Sequence, residues 1–246
     1  MMIREHDKTK ISDEQRKLVE DFEVYYNDLD HYLRKSLGTD KQVPFKYLVN
    51  EFSRKHPGWK DANLLITLAE IRNVIIHEKT ERFRYVAIPT PPVVDELKAC
   101  KERLMNPGYV IPIFKKDVKK LSLNDTLVKA LKLIREYSFS QFPVYDGLKY
   151  VGLLTENGIT HWLAFYISKE ISLVDLDEVS IKDVLRNEEQ RENCIFIPKD
   201  MRIDDLKALF SENNMLEAAL ITEHGKEIEN LLGIATRWDI VHYIKE

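Results

Sequence analysis

The sequence predicts an α+β, multidomain protein: an N-terminal all-α bundle followed by an α/β module made of two similar halves. Three observations carry this. Between Ser12 and Leu104 apolar residues recur at three- and four-residue intervals, the period of helices with one buried face. Gly152-Leu153-Leu154-Thr155-Glu156-Asn157-Gly158-Ile159 is echoed by Gly233-Ile234-Ala235-Thr236-Arg237-Trp238-Asp239-Ile240, and the two run on alike into Thr160-His161-Trp162 and Val241-His242-Tyr243. The echo also extends upstream. Leu127, Ala130, Leu131 and Ile134 precede Phe142-Pro143-Val144-Tyr145, as Ile203, Leu206 and Leu209-Phe210 precede Ala218-Ala219-Leu220-Ile221.

Taken in order, the first helix opens at Ser12, with Gln15 in capping-box spacing. Its buried face is read as Leu18, Phe22, Tyr25, Leu29, Tyr32 and Leu33, and it ends near Gly38. A second helix follows Pro44, with Phe45, Leu48, Val49 and Phe52 inward, and breaks at His56-Pro57-Gly58. The third spans Asp61 to about Lys79, burying Leu64, Leu68, Ile71 and Ile75. Pro89 to Pro92 interrupts the chain, Val94 to Leu104 is helical, and Asn106-Pro107-Gly108 marks the boundary. Residues 1–106 are thus one domain and 107–246 the other, with a first repeat over about 110–170 and a second over about 180–246. Each repeat reads as strand, helix, strand, strand, helix. Such a unit is too small to cover both faces of its own sheet, so two should pack together.

Bulk properties exclude several classes. A net charge of -4 describes an ordinary soluble chain with no global pull toward nucleic acid. Two cysteines, Cys100 and Cys194, are too few for a disulfide framework and lack paired metal-ligand spacing. Met1 to Lys10 has no apolar core of a signal peptide, and no apolar run is long enough to span a bilayer. A cytoplasmic protein is expected. No Walker loop, nucleophile elbow, zinc spacing or kinase motif set occurs.

On the third helix a second line, Ile66, Glu70, Asn73 and His77, starts apolar and turns polar, and Arg72 stands at its edge. A helical domain carrying Arg72-Asn73 and then His77 resembles the HEPN group. That resemblance implies a metal-independent endoribonuclease, with two such helices paired in an isologous homodimer and RNA as substrate. The chemistry suits the residues. An imidazole with a reference pKa near 6.5 moves protons near neutral pH, and a guanidinium matches two phosphate oxygens. Asn73 would orient His77 or touch phosphate. Arginine and histidine late in a helix also answer its dipole without any catalysis.

The repeated strand–turn–helix pattern of the C-terminal half resembles the CBS domain in its tandem arrangement, the Bateman module. The resemblance implies clefts between the repeats that bind an adenine nucleotide (AMP, ADP, ATP or a related adenosyl ligand) for regulation. It casts Thr236 as a phosphate or ribose contact and Asp239 as acceptor for the ribose diol. Ser140 and Gln141 would line the same cleft, with Arg237 neutralising phosphate. In the first repeat Thr155 is present, but Gly158 replaces the acidic residue, so one competent site is expected. Trp162, Trp238 and Tyr243 read as packing or interface aromatics. The leading expectation is therefore a nucleotide-sensing CBS pair controlling an RNase dimer, with no metal required. The alternative is a non-enzymatic regulator whose helical domain binds a protein partner. DNA binding is disfavoured by the lack of a basic recognition helix.

Overall fold

The computed structural model describes residues 11–39, 42–77, 87–168, 176–187 and 193–243, with Ile76, His77, Ser168, Asn187 and Tyr243 described by backbone alone. The chain divides into two compact units, Met1–Gly108 and Tyr109–Glu246.

The first unit is helical. α1 (Asp13–Leu37) begins with the reciprocal cap its sequence announces: Ser12 Oγ accepts from Gln15 N–H at 3.1 Å, and Gln15 Oε1 accepts from Ser12 N–H at 2.9 Å. It ends at Gly38, whose φ of 63° is left-handed, so glycine ends the helix without Cβ strain. Its fully inward face is Val19, Phe22, Tyr26, Leu29 and Leu33. Tyr26 takes the core position expected for Tyr25, which instead lies partly buried with Lys101 Nζ 4.9 Å from its ring.

α2 (Phe45–Lys55) and α3 (Ala62–His77) pack next in sequence, burying Leu48, Val49 and Phe52 from the former and Leu65, Leu68 and Ile75 from the latter. Leu64 and Ile71, expected in the α3 core, are only partly buried, because Leu65 turns inward in place of Leu64. Lys79 lies outside the described residues. α4 (Pro91–Met105) starts earlier than the proline cluster suggested. Thr90 is the N-cap and Pro91 and Pro92 form the first turn, where a missing amide hydrogen costs nothing. The fork of Arg103 grips Asp61 through two bonds of 3.0 and 2.9 Å, fastening α4 to the start of α3.

The second unit contains, among its described residues, two three-stranded sheets of the same design. β1 (Leu121–Ser122) runs parallel to β2 (Gln141–Asp146), which runs antiparallel to β3 (Lys149–Thr155). β4 (Cys194–Pro198), β5 (Ala218–Thr222) and β6 (Gly233–Thr236) repeat this order. Between them stand α5 (Val110–Ile113, a short kinked turn), α6 (Leu127–Tyr137), α7 (Glu156–Ser168), α8 (Ile181–Asn187), α9 (Ile203–Glu212) and α10 (Arg237–Tyr243). Leu153 of the first sheet packs with Ala218, Leu220 and Ile234 of the second, so each sheet covers an apolar face of the other.

The leading segment of each repeat joins the opposite core. Val110 and Phe114 lie among Ile203, Leu206, Phe210 and Ala235, and Val110 N–H donates to Met201 O at 3.0 Å. Reciprocally, Val179, Ile181 and Val184 lie among Leu121, Leu127 and Phe142, and Leu127 N–H donates to Val179 O at 2.8 Å. The segment that leads into the second repeat therefore completes the first repeat's core.

Candidate functional site

The candidate site lies in the second unit and grows from a strand end. β6 delivers Thr236 to the N-cap of α10. Thr236 Oγ accepts from Asp239 N–H at 3.3 Å, while Asp239 Oδ2 accepts from Thr236 N–H at 2.8 Å and from Thr236 Oγ–H at 2.9 Å. This is a capping box with aspartate in the acidic position, and it fixes both side chains at the head of the helix. Lys116 Nζ reaches the same Oδ2 at 3.4 Å. All these bonds converge on one carboxylate oxygen, and Oδ1 has no partner among the described residues.

The opposite wall comes from the first repeat. α6 ends at Ser138, a non-glycine residue at φ 55°, whose N–H caps Ile134 O at 2.8 Å. That left-handed turn redirects the chain through Phe139 into Ser140 and Gln141, where Ser140 Oγ–H donates to Gln141 Oε1 at 2.7 Å. The two walls enclose a cavity of about 500 Å³, within the roughly 300–1,000 Å³ common to small-molecule sites. Ser140, Gln141, Thr236 and Asp239 all line it. Residues 116–119 form its third side.

Other sequence-predicted residues stand elsewhere. Arg237 is not on the cavity wall; its guanidinium donates to the carbonyls of Phe210, Asn213 and Leu216 at 2.9, 2.8 and 3.0 Å. It fastens the C-terminal end of α9 to the turn that leads into β5, a structural use that replaces phosphate neutralisation. Thr155 is buried, and its Oγ accepts from Gly158 N–H at 2.9 Å. The first repeat thus keeps the hydroxyl half of the cap and lacks the carboxylate half.

Sequence reasoning missed several wall residues. Trp238, read as packing, lines the cavity at 67% exposure, with the His242 ring stacked 3.5 Å away. Trp162 is a core residue, 2% exposed, and the Tyr243 side chain lies outside the described residues. Tyr137 and Phe139 stack at 5.5 Å, and Lys119 Nζ sits 5.6 Å from the Tyr137 ring centre. Lys119 also bonds Asp117 at 2.7 Å, which holds the Asp117 carboxyl below its ordinary pKa and raises the lysine. The signal for this wall was the run Lys115-Lys116-Asp117-Val118-Lys119-Lys120, an unusual charge cluster just ahead of β1.

A sequence model of the CBS domain matches residues 110–164 and 181–246. The C-terminal part is a tandem CBS domain pair. Among relatives, the chain is 28% identical over 129 residues to the uncharacterized protein MJ1232 of Methanocaldococcus jannaschii, a match spanning 52% of this chain and 37% of that protein. Among solved structures, TA0289 of Thermoplasma acidophilum, a conserved CBS domain protein, is 26% identical with a TM-score of 0.41, covering 56% of this chain and 69% of that one. The CBS domain pair of MJ0100, solved in complex with 5′-methylthioadenosine and S-adenosyl-L-methionine, is 19% identical with a TM-score of 0.43, covering 56% and 97%. In this chain's CBS pair, the cavity lies where one repeat's strand–turn–helix meets the other's α6–β2 connection.

The helical unit carries the remaining candidate residues. The Arg72 guanidinium stacks 5.3 Å from the centre of the Tyr26 ring and is half-buried. Burial pushes the Tyr26 phenol up to about 12, with Arg72 opposing the shift. Asn73 faces outward and is exposed. Arg72 therefore turns toward α1, away from the side of α3 that carries Asn73. The His77 side chain lies outside the described residues. No helix among the described residues is long and apolar enough to cross a membrane, and no group of three or more His, Cys, Asp or Glu among them is placed to hold a metal ion.

Proposed function

We propose that the CBS pair is a regulatory sensor that binds one adenine nucleotide in the cavity lined by Thr236, Asp239, Ser140 and Gln141. The observation that carries this reading is the meeting of two repeats at one void, with a carboxylate oxygen left unbonded among hydroxyl and amide groups. A carboxylate accepts both hydroxyls of a ribose, the Thr236 hydroxyl and the head of α10 suit a phosphate, and aromatic and apolar walls suit a base. The first repeat's position, with Gly158 in place of an acid, is left without that acceptor. Losing one hydrogen bond to a charged group costs about 1.5–3 kcal/mol, so one ligand per chain is expected. Isothermal titration with AMP, ADP, ATP, 5′-methylthioadenosine and S-adenosylmethionine tests this. Wild type should bind at least one member, and Asp239→Ala should weaken it tenfold or more. Unchanged binding by the variant defeats the assignment.

The helical unit is the output. Read as an RNase, it would cut RNA without metal through Arg72, Asn73 and His77 paired across a homodimer, a reading supported by their spacing on α3. The packing of Arg72 over Tyr26 favours the other reading, an adaptor whose helical face captures a protein partner under nucleotide control. Incubating RNA with the protein in EDTA, with and without nucleotide, separates the two. Cleavage lost in His77→Ala supports the RNase; equal cleavage by both proteins, or none, leaves the adaptor. Light scattering reports whether the active species is a dimer.

A further inference from the structure

Within the CBS-pair cavity, Lys116 holds a position that nothing in the nucleotide reading requires. It belongs to the segment leading into the first repeat, yet its ammonium meets Asp239, the second repeat's acceptor, at 3.4 Å. Its backbone is pinned there. Lys116 N–H donates to Leu232 O at 3.4 Å, and Lys115 pairs with Gly233 at the start of β6. That approach is possible because position 233 has no side chain: a Cβ there would sit 2.1 Å from Phe114 O. The ion pair itself is loose, at the far edge of hydrogen-bonding distance, with side chains 39% and 23% exposed, so exchanging it costs little. Lys119, the other lining lysine, is already committed to Asp117 at 2.7 Å.

We propose that Lys116 sets the charge preference of the cavity: it is the counter-ion of Asp239 when no ligand is bound, and it turns to the 5′-phosphate when a ribose diol takes Asp239. This rests on the nucleotide-binding reading above. The exchange leaves each charged group with a partner. The carboxylate gains two hydroxyl donors, the ammonium gains a phosphate, and neither anion is left facing the other. A ligand that offers the same adenosine with a neutral thioether at the 5′ position displaces Lys116 but gives it no new partner. The cavity therefore favours 5′-phosphorylated adenosine over 5′-thioadenosine derivatives.

The test uses AMP and 5′-methylthioadenosine as probes, titrated calorimetrically into the full chain. Wild type should bind AMP about tenfold tighter, the lower end of what a hydrogen bond to a charged group contributes. Lys116→Met should erase that ratio by weakening AMP while leaving 5′-methylthioadenosine unchanged or slightly tighter. Lys116→Arg, which keeps the charge, should retain most of it. Lys120→Met makes the same charge change off the cavity wall and should not move the ratio. Three results overturn the proposal: Lys116→Met weakens both ligands equally, it weakens neither, or Lys120→Met acts as strongly. In each of these the nucleotide reading survives. Wild type binding neither an adenine nucleotide nor a thioadenosine overturns both.

Discussion

Replacing Gly233 with alanine should damage the CBS pair far more than the same change at Gly152, although the two glycines hold equivalent places in the repeats. At 233 the added methyl would lie 2.1 Å from Phe114 O, 3.0 Å from Phe114 C and 3.3 Å from Lys115 Cα, all of them backbone atoms. A tolerable carbon–oxygen contact needs roughly 1 Å more, so β6 and residues 114–116 must separate. The Lys116 N–H to Leu232 O bond, already 3.4 Å, would not survive that opening. Overpacking of this kind costs about 1–3 kcal/mol and the lost backbone bond about 0.5–1.5 more. A total near 3 kcal/mol lowers the midpoint of thermal unfolding by roughly 6–12 °C. At 152 the methyl would meet Leu185 Cδ2 and Cδ1 at 3.8 and 3.9 Å, an ordinary contact with a side chain, so Gly152→Ala should stay within about 0.5 kcal/mol of wild type. Differential scanning calorimetry of the two variants decides it. The close-approach reasoning fails if both variants melt within a degree or two of each other.

Three further outcomes are expected. Arg237→Ala removes three charge-assisted bonds to the Phe210, Asn213 and Leu216 carbonyls and should destabilise the unit by about 2–4 kcal/mol in urea titrations, with Arg237→Lys recovering little because an ammonium cannot reproduce the fork. Nucleotide affinity measured on the folded fraction should barely change; a large loss would return Arg237 to the binding site. In the β5–β6 connection, the His224 N–H bond, aided by the His224 ring, lowers the Glu229 pKa to about 2. A carboxylate whose folded pKa is depressed stabilises the folded loop above its ordinary value near 4.5, and the stabilisation is lost as pH falls toward 2. Amide exchange at His224 and Lys226, followed by NMR from pH 5 to 2, should show protection falling across that window, and Glu229→Gln should flatten the curve. Finally, Ser12→Ala breaks one arm of the α1 capping box and should cost about 1 kcal/mol, read as a lowered chemical-denaturation midpoint of the helical unit.

The features legible in the sequence were local. Ser12 with Gln15 and Gly38 bracket α1 because capping and left-handed termination depend on neighbours a few positions away. Thr236 and Asp239, three apart, meet for the same reason, whereas Ser140 and Gln141, which line the cavity with them, were named only through the resemblance to the CBS domain. The failures share a cause as well. Arg237 looked like a free cation because its acceptors lie 21 to 27 residues back on α9 and the turn after it. Lys116 owes its position to a bare glycine far along the chain. Tyr26 displaced Tyr25 from the core because adjacent residues on a helix differ by only about 100°, less than a periodic reading of aromatics resolves. That Val179, Ile181 and Val184 pack back against the first sheet was not legible either, because sequence order favours packing against the nearest downstream elements.

The trading of leading segments has a practical corollary for anyone dissecting this protein. A fragment ending before residue 176 would retain Leu121, Leu127 and Phe142 but lose Val179, Ile181 and Val184, which close over them. A fragment starting at residue 176 would expose Ile203, Leu206 and Phe210 where Val110 and Phe114 belong. Neither piece is self-sufficient, yet each carries the plug that the other lacks. Expressed together as separate chains, the halves should find one another and rebuild the module, which makes 169–175 the natural place to split it into a complementation pair.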